Sequence, residues 1–448
     1  MNRDPSKSAS DYANLDTVVY QAMHSPKLAW FAGLLISLCA FSMGIYGLYY
    51  QTLHGLEGSG INHPIGWGVY ITNFVFWIGI AHAGTLISAI MYLTRASFRN
   101  SICRASEAMT VFAIMTAGLF PIIHLGRIWN FYWLFPYPNQ RQLWINFKSP
   151  LIWDLFAISV YLLVSLSFFY VGLIPDLAMV RDRSKGWKKR IYGVLALGFR
   201  GTGFQWLHYT KGYLMIASLA TPLVISVHSI VSWDFAVSSI PGWHSTIFAP
   251  YFVAGAIFSG CAMVLTILIP LRQLFNGFKP IIPLAAFEGM AKVILLTSTL
   301  ISLSYLTEFF IAFYSGSDYE AAIFRFRPFG AYREYFWLMI LCNCIVPLLF
   351  WWKRCRTQTL ILFAISIVIN LGMWIERFTI VITSLAHDFI PFTWGTYQFE
   401  WVEVWITIGS FGWFFLLFLL FLKTLPVVAV TELKEKAPPP VRTRKQHT

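Results

Sequence analysis

Charge is what this chain has least of. Only 12% of its 448 residues are Asp, Glu, Lys or Arg, against 57% apolar; a soluble globular protein carries roughly 25% charged residues. That deficit excludes an ordinary water-soluble fold, and a mean hydropathy of +0.62 makes lipid the expected solvent. Strict apolar–polar alternation is missing too, and the apolar runs are too long for barrel strands, which leaves helices as the spanning element. The six cysteines, at 39, 103, 261, 342, 344 and 355, make no CxxC, CxxCH or other ligand spacing. No iron–sulfur cluster, zinc or c-type haem is therefore expected on this chain, and Cys342-Asn343-Cys344 reads as packing. A b-type haem needs paired histidines on facing helices; His82 stands mid-span without a partner at matching depth. Residues 1–27 lack a short apolar core with a small-residue cleavage site, so no cleaved signal peptide is expected.

What is there is a series of ten apolar windows, at about 28–50, 66–93, 105–128, 150–174, 211–233, 247–269, 287–312, 335–352, 359–383 and 404–425. Each is about as long as a helix needs to cross a hydrocarbon core, except the short eighth. The net charge of +13 does not point to nucleic acid, because the cations sit in the connections. Of 33 Lys and Arg, 25 fall in one alternating set of segments and 5 in the other. The positive-inside rule then predicts both termini in the cytoplasm.

The expected fold is an all-α integral membrane protein of ten transmembrane helices. A weak parallel repeat groups eight of them into two four-helix bundles, leaving two peripheral helices. Glu107-Ala-Met109 opens span three as Glu288-Gly-Met290 opens span seven, and Gly84 and Gly260 sit near matching places. The expected divisions are a tail over 1–27, a first peripheral helix and loop over 28–60, and bundles over 61–233 and 234–383. An outer loop with the last helix follows over 384–425. The Pro- and Lys-rich tail over 426–448 is expected to be disordered or to lie against a partner.

The chemistry concentrates in PIIHLGRIWNFYWLFPYPNQRQLWINFKSPLIWD, residues 121–154. His124 and Arg127 share a helix face, Pro121 can kink that helix, and Ser149-Pro150 opens a second span carrying Asp154. Ionisable groups inside spans are costly and by default have a task or a partner. An imidazole suits proton acceptance near neutrality, and a neighbouring carboxylate can orient it or take a second proton. The same residues also fit a structural arrangement: an Arg127–Asp154 ion pair closing two helix ends, with His124 capping a carbonyl. Trp129, Phe131, Tyr132, Trp133, Phe135, Tyr137 and Trp144 between the helices read as an interfacial aromatic belt or as a docking platform. Candidates for a proton route are His82, Glu107, Lys292, Glu308, Glu376 and Arg377. Glu288–Lys292 and Arg104–Glu107 also read as local surface pairs. His228 and Asp234 are secondary candidates on the outer face, either a worn copy of the His–Asp theme or an interface cap.

At IAHAGTLISAI (80–90), RASEAMT (104–110), PIIHLGR (121–127), PYPN (136–139), SPLIWD (149–154) and IPDLAMVRDR (174–183), the chain resembles the NrfD/polysulfide-reductase membrane subunits. Within that family it is most similar to the ActC-type subunit of bacterial alternative complex III, which PGWHSTIFAPYFVAGAIFSG (241–260) also resembles. The resemblance covers roughly residues 60–430. It implies a ten-helix, cofactor-free subunit of the bacterial inner membrane that oxidises menaquinol or another quinol near the periplasmic face. Electrons would pass to a peripheral iron–sulfur subunit and on to multihaem c-type cytochrome subunits, with a second homologous ten-helix subunit alongside. The family's quinol-site His and Asp match His124 and Asp154, and Arg127 would tune both. Two other readings stay open: an NrfD-type subunit of a polysulfide, nitrite or sulfoxide reductase, and a non-redox transporter or ion channel.

Overall fold

The computed structural model describes residues 16–21, 23–24, 28–93, 99–136, 147–274, 278–279 and 281–436. Among them the regular elements are helices α1 (Leu28–His54), α2 (Val69–Leu93), α3 (Cys103–His124), α4 (Pro150–Arg183), α5 (Gly186–Leu195), α6 (Gly203–Ala236) and α7 (Phe248–Leu274). There follow α8 (Leu284–Tyr314), α9 (Asp318–Phe329), α10 (Arg333–Ile340), α11 (Lys353–Thr357), α12 (Thr359–Ala386), α13 (Trp401–Thr424) and α14 (Val430–Lys436). Ten helical segments among the described residues are long and apolar enough to cross a membrane, as the sequence predicts. The described residues nearest the two ends meet on one face, the terminal face, where Lys434 pairs with Asp16.

In lipid every backbone polar group must be satisfied internally, so each span closes its own hydrogen bonds and burial differs from helix to helix. α2 and α7 form the centre; α2 packs against α3, α6, α7 and α12, and α7 also receives α8. α1 is peripheral and lies mainly against α13. A Cβ on Gly44 would stand 2.6 Å from the Gly409 Cα, so the two glycines set how closely those helices approach. The short eighth span, Arg333–Trp351, is not one continuous α-helix: α10 passes through a π turn at Leu341–Ile345 into a 3₁₀ turn beginning at Val346-Pro347. Proline removes an N–H and crowds the preceding turn, which accounts for the change of winding.

The stretch after Thr424 departs from expectation. Val427, Val428, Ala429 and Val430 are buried, and Thr431 donates its hydroxyl (2.8 Å) and its N–H (3.1 Å) to Asp176. Lys434 and Arg183 both pair with Asp16, at 2.7 and 2.9 Å. An apolar run and a donor for a buried carboxylate fold residues 426–436 onto the terminal face instead of leaving them disordered. The rest of that tail, most of 1–27, and Tyr137 and Trp144 lie outside the described residues.

Candidate functional site

At the face opposite the termini, α3 stops just after His124. Pro121 cannot donate to the carbonyl four residues back, and Gly126 turns the chain at φ 78°, with Leu56 packed against it. The freed carbonyls at a helix end need partners, and here α1 supplies one. The Gln51 carboxamide donates to Ile123 O at 2.7 Å and Gly126 O at 3.4 Å, and accepts from the Tyr70 hydroxyl. α4 opens with Pro150 in its first turn, where a missing N–H costs nothing. Asp154 follows on the second turn.

His124 and Asp154 line one cavity of about 720 Å³, a usual size for a ligand site. Its wall is otherwise apolar, with Met115, Leu119 and Leu151 exposed on the outer side of α3 and α4, so it opens sideways as well. Asp234 from the last turn of α6 joins the lining, so two carboxyl side chains and an imidazole share this cavity. Trp413 of α13 closes another wall. His124 Nδ1, Asp154 Oδ1, Asp234 Oδ1 and Trp413 Nε1 are buried without a hydrogen-bond partner among the described residues. Buried polar atoms are nearly always paired, and all four of these side chains belong to the lining of this one cavity. Asp234 also borders a second recess of about 380 Å³, lined by Pro64, Ser149 and Ser238, which links the carboxyl pair to the face of the molecule.

Arg127 is not part of this lining. Its side chain is exposed, 5.9 Å from the Trp129 ring centre, and no Arg127–Asp154 ion pair forms among the described residues. The geometry therefore supports neither a direct contact of Arg127 with the cavity nor its structural alternative. Trp129, Phe131, Tyr132, Trp133 and Phe135 are exposed in a 3₁₀ segment and the residue after it, next to the cavity mouth.

Two further sequence expectations need correction. His228 is not an outer-end cap: it meets His82 in the interior, ring centres 4.3 Å apart, so His82 does have a partner at its depth. Arg104 and Glu107 are not a surface pair. They are buried and 2.7 Å apart, with Asp176 at 3.3 Å, and Ser88 and Tyr213 donate to Glu107 at 2.5 and 2.9 Å. Between the imidazole pair and this cluster lie Tyr161 and Thr110, both donating to Ala81 O, and Thr85 donating to Ser165. Glu376 and Arg377 pair at 3.0 Å beneath α7, with Asn343 donating to Glu376 at 3.2 Å and Tyr305 bonded to the same oxygen. Glu308 faces Arg327 at 3.9 Å. Lys292 stands apart, largely exposed and paired with Glu288 at 3.2 Å, so that reading as a local pair holds.

Sequence reasoning missed Trp413, Gln51, Asn343 and Asp176. Asp176 had a signal, a carboxylate in the IPDLAMVRDR stretch directly after an apolar run, whereas the other three are uncharged and unmarked.

The comparisons with known proteins agree with this architecture. The family model for "Polysulphide reductase, NrfD" matches residues 59–387, most of the chain. A putative dimethyl sulfoxide reductase membrane subunit of Halobacterium salinarum is 25% identical over 401 residues, 85% of this chain and 83% of that one. A selenate reductase subunit of Mesobacillus selenatarsenatis is 22% identical over 315 residues, 68% of this chain and 71% of that one. With the matched span reaching from just before α2 to the end of α12, the chain belongs to the polysulphide reductase NrfD family.

Proposed function

We propose that the chain is the quinol-oxidising membrane subunit of a respiratory oxidoreductase, with the reaction centred on His124, Asp154 and Asp234. The observation that carries this reading is one largely apolar cavity of about 720 Å³ whose lining brings together His124, Asp154, Asp234 and Trp413. A quinol has that shape in reverse: a ring bearing two hydroxyls on an apolar tail. Its oxidation releases two protons and two electrons. Neutral His124 accepts one proton at its free nitrogen. The Asp154 carboxylate, with Asp234 lining the same cavity, accepts the second. General acid–base assistance of this kind is worth about 10²- to 10⁴-fold. The recess bordered by Asp234 gives those protons a way out.

The electrons leave for an iron–sulfur subunit seated over the exposed aromatic segment at Ile128–Leu134. The cation bias puts both termini in the cytoplasm and the cavity on the outer side. The polar groups running through His228, His82, Tyr161, Glu107 and Asp176 are the candidate route for coupled proton movement toward the terminal face, with Glu308, Glu376 and Arg377 forming a separate buried set.

Where the electrons finish is a choice between two assemblies. One is an alternative complex III-like quinol:cytochrome c oxidoreductase, with multihaem c-type cytochromes and a second homologous subunit, for which the motifs at 121–154 speak. The other is a terminal reductase, favoured by the names of the dimethyl sulfoxide and selenate reductase relatives. The test of the site is common to both. His124→Ala and Asp154→Asn in the purified complex should each lower quinol oxidation about 100-fold or more with assembly intact. Near-normal turnover in either assembled variant refutes that residue's role. The proteins that co-purify decide between the assemblies.

A further inference from the structure

The terminal face carries a feature that quinol chemistry does not use. Between α4 and α6, residues 175–214 hold eight Lys and Arg. Their two acids are already engaged: Asp176 with Arg104 and Thr431, and Asp182 with Arg181 at 2.8 Å. α5 lies within this stretch and has two apolar stripes. Tyr192 and Leu195 face the protein, where the Tyr192 hydroxyl donates to Thr424 O and Tyr170 donates to Leu195 O, both at 2.8 Å. Trp187, Ile191 and Val194, spaced four and three apart, form the other stripe, exposed at 68%, 47% and 74%. Lys185, Lys188, Lys189 and Arg190 are exposed around them. A short helix with an outward apolar stripe among cations lies in the plane of a membrane interface.

Beside it is a cavity of about 250 Å³ between α4 and α6, walled by Val171, Ile174, Phe199 and Phe204, with Gln205 and His208 at its polar end. Arg200 is exposed in the loop that forms its rim, its backbone N–H held by Gln205 Oε1 at 2.8 Å. The exposed faces of Phe204 and Leu207 continue this apolar surface along α6. An apolar slot with an exposed Arg in its bordering loop and a cation-rich helix leading into it has the charge pattern of an anionic lipid site.

We propose that this hairpin holds one anionic phospholipid, an acyl chain in the slot between α4 and α6 and its phosphate against Arg200 and the α5 lysines. The lipid fixes α5 to the end of α4 and so braces the terminal face on which α14 sits. A neutral or zwitterionic lipid leaves the cations uncompensated and so is not retained.

The test is native mass spectrometry on the delipidated complex, titrated with phosphatidylglycerol, with phosphatidylcholine and with inorganic phosphate, alongside the thermal midpoint. Phosphatidylglycerol should give a retained one-lipid adduct and a raised midpoint, and the other two neither. The Lys188→Gln, Lys189→Gln, Arg200→Gln triple variant should bind about 100-fold more weakly, since each interfacial cation is worth about a factor of five to ten. Those side chains are exposed, so folding should survive their loss. Ile174→Trp, which fills the slot and keeps every charge, should abolish the adduct as well. Equal retention of phosphatidylcholine, undiminished binding by the triple variant, or full competition by inorganic phosphate would overturn the proposal. The last of these would mark a free-anion site instead.

Discussion

Replacing Gln51 by methionine keeps the side chain's length and most of its volume while deleting its carboxamide. Two buried hydrogen bonds go with it, to Ile123 O at 2.7 Å and from the Tyr70 hydroxyl, and Gly126 O loses its weaker 3.4 Å contact. A buried partner left unsatisfied costs about 1 to 3 kcal/mol. The Tyr70 hydroxyl is left so, whereas Ile123 O keeps the Gly126 N–H at 3.0 Å, which puts the destabilisation at about 1 to 3 kcal/mol. The turn relaxes by drawing its carbonyls toward other donors, and His124, one residue beyond Ile123, moves with it. A displacement of about 1 Å in a reacting group costs roughly 100-fold in rate. The apolar cavity wall, formed by other residues, is untouched. Steady-state quinol oxidation by the assembled complex should therefore show kcat reduced about 10- to 100-fold with KM for quinol little changed. A variant that turns over at the native rate with an unaltered thermal midpoint refutes the positioning role. A raised KM at constant kcat would instead make Gln51 a binding residue.

Asp234→Asn removes the second carboxyl of the cavity lining, and should lower kcat about 10- to 100-fold, less than Asp154→Asn, when both are assayed in the intact complex. Trp413→Phe keeps the wall of the cavity but deletes an indole N–H that has no protein partner, so KM for quinol should rise several-fold while the thermal midpoint stays put. Thr431→Val takes one of three donors from buried Asp176; thermal unfolding should show a loss of about 1 to 3 kcal/mol, and limited proteolysis should cut the tail after Thr424 sooner. Gly409→Val drives a side chain into the Gly44 backbone and should separate α1 from α13, read as loss of the folded species in detergent.

Much of the fold was written in runs of hydropathy, because a helix in lipid needs about 20 apolar residues and little else. The ten spans follow from that alone, and their ends fall where Pro150, Gly126 and the Lys- and Arg-bearing connections place them. His124 and Asp154 were legible for a related reason: an ionisable group in an apolar run is conspicuous, and the two lie only 30 positions apart across a single connection. Depth along a helix is readable from sequence; azimuth around it is much less so in spans that are apolar on all sides. That is why His82 looked solitary. Its partner His228 sits 146 positions away on α6, and only the packing of α6 against α2 turns the two rings toward each other.

The same distinction explains the inner cluster and gives it a physical meaning. Arg104 and Glu107, three apart at the start of a span, have the spacing of a surface pair. What buries them is Asp176 from the far part of α4 below and the folded stretch Val427–Thr431 above. Neither lies near them in sequence. A buried Arg with two carboxylates loses more by desolvation than a surface pair gains, unless every remaining donor and acceptor is occupied. Here Gly172 O, Ser88, Tyr213 and Thr431 occupy most of them. Removing a single member, as in Asp176→Asn, should therefore destabilise the protein by more than replacing Asp154 at the opposite face, which lines a cavity and has an oxygen without a partner among the described residues. Thermal midpoints of the two variants side by side test this ordering. If Asp154→Asn proves the more damaging to stability, the outer carboxyl is a structural strut and its assignment to the chemistry falls.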